Sequence, residues 1–244
     1  MLEDRFRFSF GRVAEEYERA RPPYADAGVD WALQHLELGS GARVLDLAAG
    51  TGRLTQALVA RPLEVVAVEP DDEMRRVLVR SAPGIEVLAG RAEDIPLPDA
   101  SVDVVAVGQA FHWFETERAL AEMRRVVRGG GGFALFWNQF NHDDPLLGPV
   151  DDLLRARRPP EARRPQWRDR YDARQFGPLE ERSFDEERRM SVDDVVSWVA
   201  STSPVIAAPP EEQAGIEQMV RRLGEAHAGV VTIRTYVVVA RGSG

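Results

Sequence analysis

The sequence predicts an α/β fold: a parallel sheet with helices on both faces and an inserted helical cap. Three observations predict it. Short β-branched runs alternate with helical stretches from Arg43 to Trp137. The alternation breaks at Asn138, where prolines begin to punctuate the chain. A further β-branched run, Val230–Ala240, comes last. Strands joined through helices lie parallel, and the helices cover both sheet faces.

The elements follow in order. Residues 1–40 read as helical, with turns at Arg21-Pro22-Pro23 and Gly39-Ser40-Gly41. Within them, Trp31, Leu33, Leu36 and Leu38 form an amphipathic pattern. Strands are expected at Arg43–Leu47, Val65–Val68, Ile85–Leu88, Val102–Val107 and Phe133–Trp137. Helices at about 52–60, 71–80 and 115–128 lie between them. The run Gly129–Gly132 is expected to end the third of these helices and turn into the next strand. From Asn138 to Leu179, Pro145, Pro149, Pro159, Pro160, Pro165 and Pro178 mark a cap of helices and loops. A polar strand follows at Glu180–Arg189. Ser191, with Asp194 three residues on, is a helix start of the capping-box kind, and a second helix covers 211–226. The expected organisation is N-terminal helices at 1–40, a ligand-binding sheet core at 41–138, a cap at 139–179, and the C-terminal part of the core sheet at 180–244.

Composition narrows the function classes. The 244 residues suffice to bury a sizeable core, and 44% hydrophobic with 29% charged residues excludes a largely disordered chain. No apolar run approaches the roughly 18 residues of a membrane span. The first residues are acidic and lack an apolar stretch, so no secretory signal is expected. Cysteine is absent, which rules out disulfides, thiol nucleophiles and cysteine-ligated metals, and suits a reducing, cytoplasmic setting. A net charge of −9 argues against nucleic acid as a partner. Eight arginines between Arg155 and Arg174 face only Glu161, Asp169 and Asp172. They read either as a solvated face or as a surface for an anionic substrate.

Three motifs carry the chemistry. In Val44-Leu45-Asp46-Leu47-Ala48-Ala49-Gly50-Thr51-Gly52 a strand runs into a glycine turn and a helix. The glycines let backbone approach a ligand, and the helix start offers unpaired N–H groups. The third glycine of the dinucleotide fingerprint is missing, since Thr55 stands in its place. Asp46 would repel a pyrophosphate and suits an ammonium or sulfonium. The second motif, Val65-Val66-Ala67-Val68-Glu69-Pro70, ends a strand with a carboxylate about twenty residues after the glycines, where it can accept both hydroxyls of a ribose or, alternatively, cap the helix that starts near Asp71. The third, Gly90-Arg91-Ala92-Glu93-Asp94-Ile95-Pro96, reads alone as a solvated turn, and after the first two motifs as acids placed for an adenine amino group, Asp94 first among them.

These motifs, in this order, resemble the class I S-adenosylmethionine-dependent methyltransferases, and within them the methyltransferase type 11, trans-aconitate methyltransferase-like branch. Tyr17 to Tyr24, Leu97 to Asp103, Phe111-His112-Trp113-Phe114 and Arg125 to Gly131 add to the resemblance. One departure is Gly129, where such enzymes carry proline in the turn. The resemblance implies a Rossmann-like, seven-stranded, mostly parallel sheet whose last strand, Val230–Ala240, runs antiparallel. It implies S-adenosylmethionine as cofactor and a small-molecule acceptor. Its methionine part would lie at Asp46, Ala48 and the Gly50 to Gly52 turn, and against Gly108, Gln109 and Ala110. The ribose would meet Glu69, with Pro70 and Met74 beside it, and the adenine would meet Ala92, Glu93 and Asp94. Tyr17 and Arg21 would close over the cofactor. From their own place after a sheet strand, the aromatic residues of Phe111-His112-Trp113-Phe114 read either as core packing or as the lining of a substrate pocket formed by Phe111, His112 and Trp113.

Methyl transfer from a sulfonium needs positioning and exclusion of water, and a base only where the acceptor holds its proton tightly. His112 is the candidate base, with a pocket-shaping role as the alternative. The histidines and acids show no metal-ligand spacing, so no metal is expected. Two other readings stay open: a nicotinamide-dependent oxidoreductase, against which Asp46 and the missing glycine count, and a non-catalytic S-adenosylmethionine-binding module. The acceptor and the oligomeric state are not legible.

Overall fold

The structure, a computed structural model, describes residues 18, 20–157 and 166–242. Helix α1 (Asp26–His35) precedes strand β1 (Arg43–Leu47), α2 (Arg53–Val59), β2 (Glu64–Val68), α3 (Asp72–Ser81) and β3 (Glu86–Leu88). Then come β4 (Val102–Gly108), a 3-10 turn (Phe111–Trp113), α4 (Thr116–Val126) and β5 (Val127–Phe140). The rest comprises α5 (Leu147–Arg155), α6 (Ala173–Phe176), β6 (Glu180–Arg189), α7 (Val192–Ala200), α8 (Ser203–Ile206), α9 (Pro210–Leu223) and β7 (Val230–Arg241).

The seven strands form one sheet in the order β3-β2-β1-β4-β5-β7-β6. The pairs β1–β2, β1–β4, β2–β3 and β4–β5 are parallel. Along β5 and β7 the contacts run in opposite senses: Gly242 N donates to Gly131 O, while the Tyr236 ring lies 6.0 Å from Trp137. The last strand is therefore antiparallel, as expected. Chain order reverses between β1 and β4, the switch point where open α/β sheets bind ligands at their carboxyl ends.

Alternation along the strands separates two cores. Leu45, Leu47, Val105, Val107, Phe133 and Leu135 pack under α4 with Leu120 and Met123. Val44, Val104, Ala106, Ala134 and Phe136 pack on the opposite face with Val29 and Ala32 of α1 and Leu54 and Leu58 of α2. Asp46 has the parity of Val44, so it points toward α2.

One expectation is corrected. Gly129–Gly132 do not turn between a helix and a strand: α4 ends at Val126, and the glycines lie inside β5. A Cβ on Gly131 would stand 2.2 Å from Asp103 O, and one on Gly132 would stand 2.1 Å from Ala240 O. At Gly131 and Gly132 neighbouring backbones come too close for any side chain, while Gly130, at φ 76, lies where β5 slips in register between Val127 and Gly132 against Val102 and Val104.

The chain clusters into two compact units. One comprises Pro23–Trp137, Gln166–Phe184 and Thr235–Gly244; the other comprises Met1–Pro22, Asn138–Pro165 and Asp185–Arg234, each in its described part. The second unit has its own core, in which Leu147, Val150 and Leu154 of α5 pack with Val195, Val199, Ile216 and Val220. Residues 185–234 fall in the same unit as Asn138–Pro165, while β6 and β7 belong to the sheet. The Ser191–Asp194 capping box forms as read.

Candidate functional site

The site is built at the carboxyl ends of β1, β2 and β4, all within the first unit. Asp46 is fully buried, and its Oδ2 accepts a hydrogen bond from Thr55 Oγ1 at 2.5 Å. Its Oδ1 has no hydrogen-bond partner among the described residues. Burial pushes its carboxyl up to about 7; the Thr55 bond opposes the rise and the nearby charge of Glu69 adds to it.

Glu69 is 6% exposed. Its Oε2 accepts from Gly50 N at 2.8 Å and its Oε1 from Asp71 N at 2.9 Å, so one carboxylate ties the glycine turn to the start of α3. Burial pushes this carboxyl up to about 7 as well, against the two amide bonds. Each oxygen keeps a second lone pair for a ligand hydroxyl. Asp71 caps α3 by accepting from the amides of Glu73 and Met74, which leaves Met74 buried under the site and Pro70 exposed at its rim.

The turn itself is strained. Ala48 and Gln109 sit at φ 57 where β1 and β4 end, in the left-handed region that L-residues avoid. Gly50 and Gly52 have φ 58 and 100, and a Cβ on Gly52 would also stand 2.5 Å from Leu78 Cδ1. These four residues flank the switch point, where the backbone must swing away to leave room for a ligand. Gly108 lies beneath Tyr24, whose hydroxyl would be 2.5 Å from a Cβ there. Gln109 N donates to Phe136 O, and Ala110 follows as the lead into the 3-10 turn.

On the third loop, Ala92 is buried, Glu93 Oε1 accepts from Glu115 N at 3.0 Å, and Asp94 is exposed. After β4, the aromatic residues divide. Phe111 is fully buried, stacked on Phe133 and edge-on to Trp167, the core packing that was one of its two readings. His112 is exposed, 4.8 Å from the Trp113 ring, and its Nδ1 accepts a long 3.4 Å bond from Trp137 Nε1. Arg21 belongs to the second unit, where its guanidinium donates to Ser201 O at 2.8 Å. Tyr17 lies outside the described residues.

Sequence reasoning missed Thr55, Tyr24 and the strain at Ala48 and Gln109. In the sequence Thr55 marks only the place of a missing glycine; in the fold its hydroxyl holds Asp46. In the arginine-rich segment, Arg155, Arg157, Arg168 and Arg174 each pair with an acid: Asp151, Glu212, Glu181 and Asp172. Arg158, Arg163 and Arg164 lie outside the described residues. No group of three or more His, Asp or Glu among the described residues is arranged to hold a metal, and no helix among them is long and apolar enough to cross a membrane.

Comparison with known proteins decides the family. A methyltransferase domain family matches residues 45–135, which hold the glycine turn, Glu69 and the third loop. An uncharacterized methyltransferase of Schizosaccharomyces pombe is 34% identical over 200 residues, 81% of this chain and 80% of that protein. The chain belongs to the methyltransferase family. An uncharacterized methyltransferase of Mycobacterium tuberculosis is 48% identical over 145 residues, 59% of this chain. The match spans 57% of that relative's own length. Among solved structures, a protein of Anaeromyxobacter dehalogenans, provisionally described as a type II methyltransferase, superposes with a TM-score of 0.69 at 28% identity. That match covers 91% of this methyltransferase-family chain and 97% of the other.

Proposed function

We propose that this chain binds S-adenosylmethionine and transfers its methyl group to a small-molecule acceptor. The carrying observation is the buried Asp46 carboxyl, whose second oxygen has no partner among the described residues behind a glycine turn. An unmet buried acceptor is costly unless a ligand meets it. The cofactor's sulfonium supplies an activated methyl carbon. The Asp46 carboxyl meets the cationic groups of the methionine part, and the amides of the glycine turn donate to the methionine carboxylate. Glu69 accepts the ribose hydroxyls, and Ala92 with Glu93 and Asp94 borders the adenine. A nicotinamide cofactor fits less well, because Asp46 stands where a pyrophosphate would come.

The acceptor is a small metabolite rather than nucleic acid, consistent with the net charge of −9. His112 acts as a hydrogen-bond donor to the acceptor. With Nδ1 accepting from Trp137, the neutral ring carries its proton on Nε2. The absence of cysteine suits a cytoplasmic enzyme, which cell fractionation would test.

Calorimetry checks the cofactor reading. S-adenosylmethionine should bind, and Glu69→Ala should weaken it by about 1.5–3 kcal/mol, the worth of a charged hydrogen bond. Tight NADH binding with no S-adenosylmethionine binding would overturn the reading. A metabolite screen that detects S-adenosylhomocysteine then separates an enzyme from a non-catalytic binding module.

A further inference from the structure

Strand β6 closes one edge of the sheet. It is ten residues long, and none of the ten is buried. The other edge, β3, has three residues. A long open edge presents a row of backbone N–H and C=O groups that another strand can pair.

The side chains of β6 divide cleanly between the faces. Phe184 lies 5.9 Å from Trp31 of α1, and Glu180 meets His35 Nε2 at 3.2 Å. Glu180, Arg182, Phe184, Glu186 and Arg188, at alternate positions of β6, therefore share one face of the strand. On the other face, Glu181 pairs with Arg168 at 2.7 Å and Asp185 with Arg234 at 2.8 Å.

Two copies of one edge strand pair antiparallel about a two-fold axis perpendicular to the sheet. Directly opposed residues then share a face. Centred on Phe184, this arrangement sets Phe184 against itself, Arg182 opposite Glu186 and Glu180 opposite Arg188, each charge pair occurring twice. Glu186 and Arg188 are already bridged at 2.7 Å, so the cross-strand pairs join into a charge network. On the other face Glu181 meets Glu187, and Arg168 compensates the first of these. Centring on Asp185 would oppose Arg182 to Arg188 and Asp185 to itself. Centring on Ser183 would oppose Glu180 to Glu186 and Glu181 to Asp185. Of these three registers, only the one centred on Phe184 opposes unlike charges along the face of Phe184, and it pairs residues 180–188, nearly the whole strand.

We propose that two copies of this chain pair through β6, antiparallel and centred on Phe184, into one sheet that continues across the dimer. Sedimentation velocity of the full chain tests it. The wild type should sediment as a dimer that weakens as salt rises. Arg182→Glu faces Glu186 of the partner subunit twice, so the dissociation constant should rise at least about tenfold. Adding Glu186→Arg restores opposite charges and should restore the dimer. Circular dichroism and the melting temperature of both variants check that the monomer fold is kept. A wild type that stays monomeric at its highest soluble concentration overturns the proposal, and so does a dimer that Arg182→Glu leaves intact.

Discussion

The buried carboxyls of Asp46 and Glu69 make the protein pH-sensitive at single-residue scale. An unfolded chain ionises such groups near pH 4, whereas the folded chain keeps their protons up to about 7. Between those values the folded state binds more protons, so stability is highest below the window and falls as pH rises through it. Asp46→Asn should flatten that fall, read from urea unfolding at about pH 5 and about pH 8. It should also remove most cofactor affinity. In the wild type, affinity should rise across the upper part of the window as the carboxyls gain charge; a flat profile would detach them from binding. A second residue-scale expectation concerns Trp137, which donates to His112 Nδ1. If His112 is a donor, His112→Gln should raise KM and keep the shape of the pH–rate profile, because glutamine also donates. Trp137→Phe should shift the parameters in the same direction by freeing the ring's tautomer. A kcat loss in His112→Gln that shrinks at high pH would instead mark it as the base.

At the scale of elements, the glycines of β5 are the sharpest test. Gly132→Ala places a Cβ 2.1 Å from Ala240 O, so β5 and β7 must part. The cost should reach about 1–3 kcal/mol or more in urea unfolding, as for overpacked cores. Gly39→Ala, with nothing within 4 Å and an exposed position, should stay within about 0.5 kcal/mol of wild type. Equal effects at the two sites would contradict the close approach. The run of four glycines reads as a turn because glycine punctuates local structure. At Gly132 the reason is the Ala240 carbonyl, more than one hundred residues away, which local pattern does not report. By contrast, the Ser191 cap was legible because its whole mechanism lies within four residues.

For the whole molecule, ligand binding should appear as added stability. At a hundredfold excess over its dissociation constant, S-adenosylmethionine should add about 2.7 kcal/mol, raising the melting temperature by roughly 5–10 °C at this size. NADH should leave it unchanged. A thermal shift with NADH alone would argue against the methyl-transfer reading. The two compact units unfold under the same ligand only as far as their folding is coupled, so a single shifted transition would report coupling and two transitions, one of them shifted, would report its absence.

The sequence by itself determined the order of strands and helices, the parallel core, and the placement of Asp46, Gly50, Gly52 and Glu69 at strand ends. Those features follow from side-chain periodicity and from chemistry that neighbours along the chain already share. Only the tertiary structure decided that Thr55 holds Asp46, that Glu69 grips the Gly50 amide, that Phe111 belongs to the core, and that residues 185–234 group with α5. It also decided that Ala48 and Gln109 bend against their preference. Each of these is a contact or a conformation imposed by groups distant in sequence or by the crowding of strand ends. A single-residue pattern carries no record of which distant surface will close upon it.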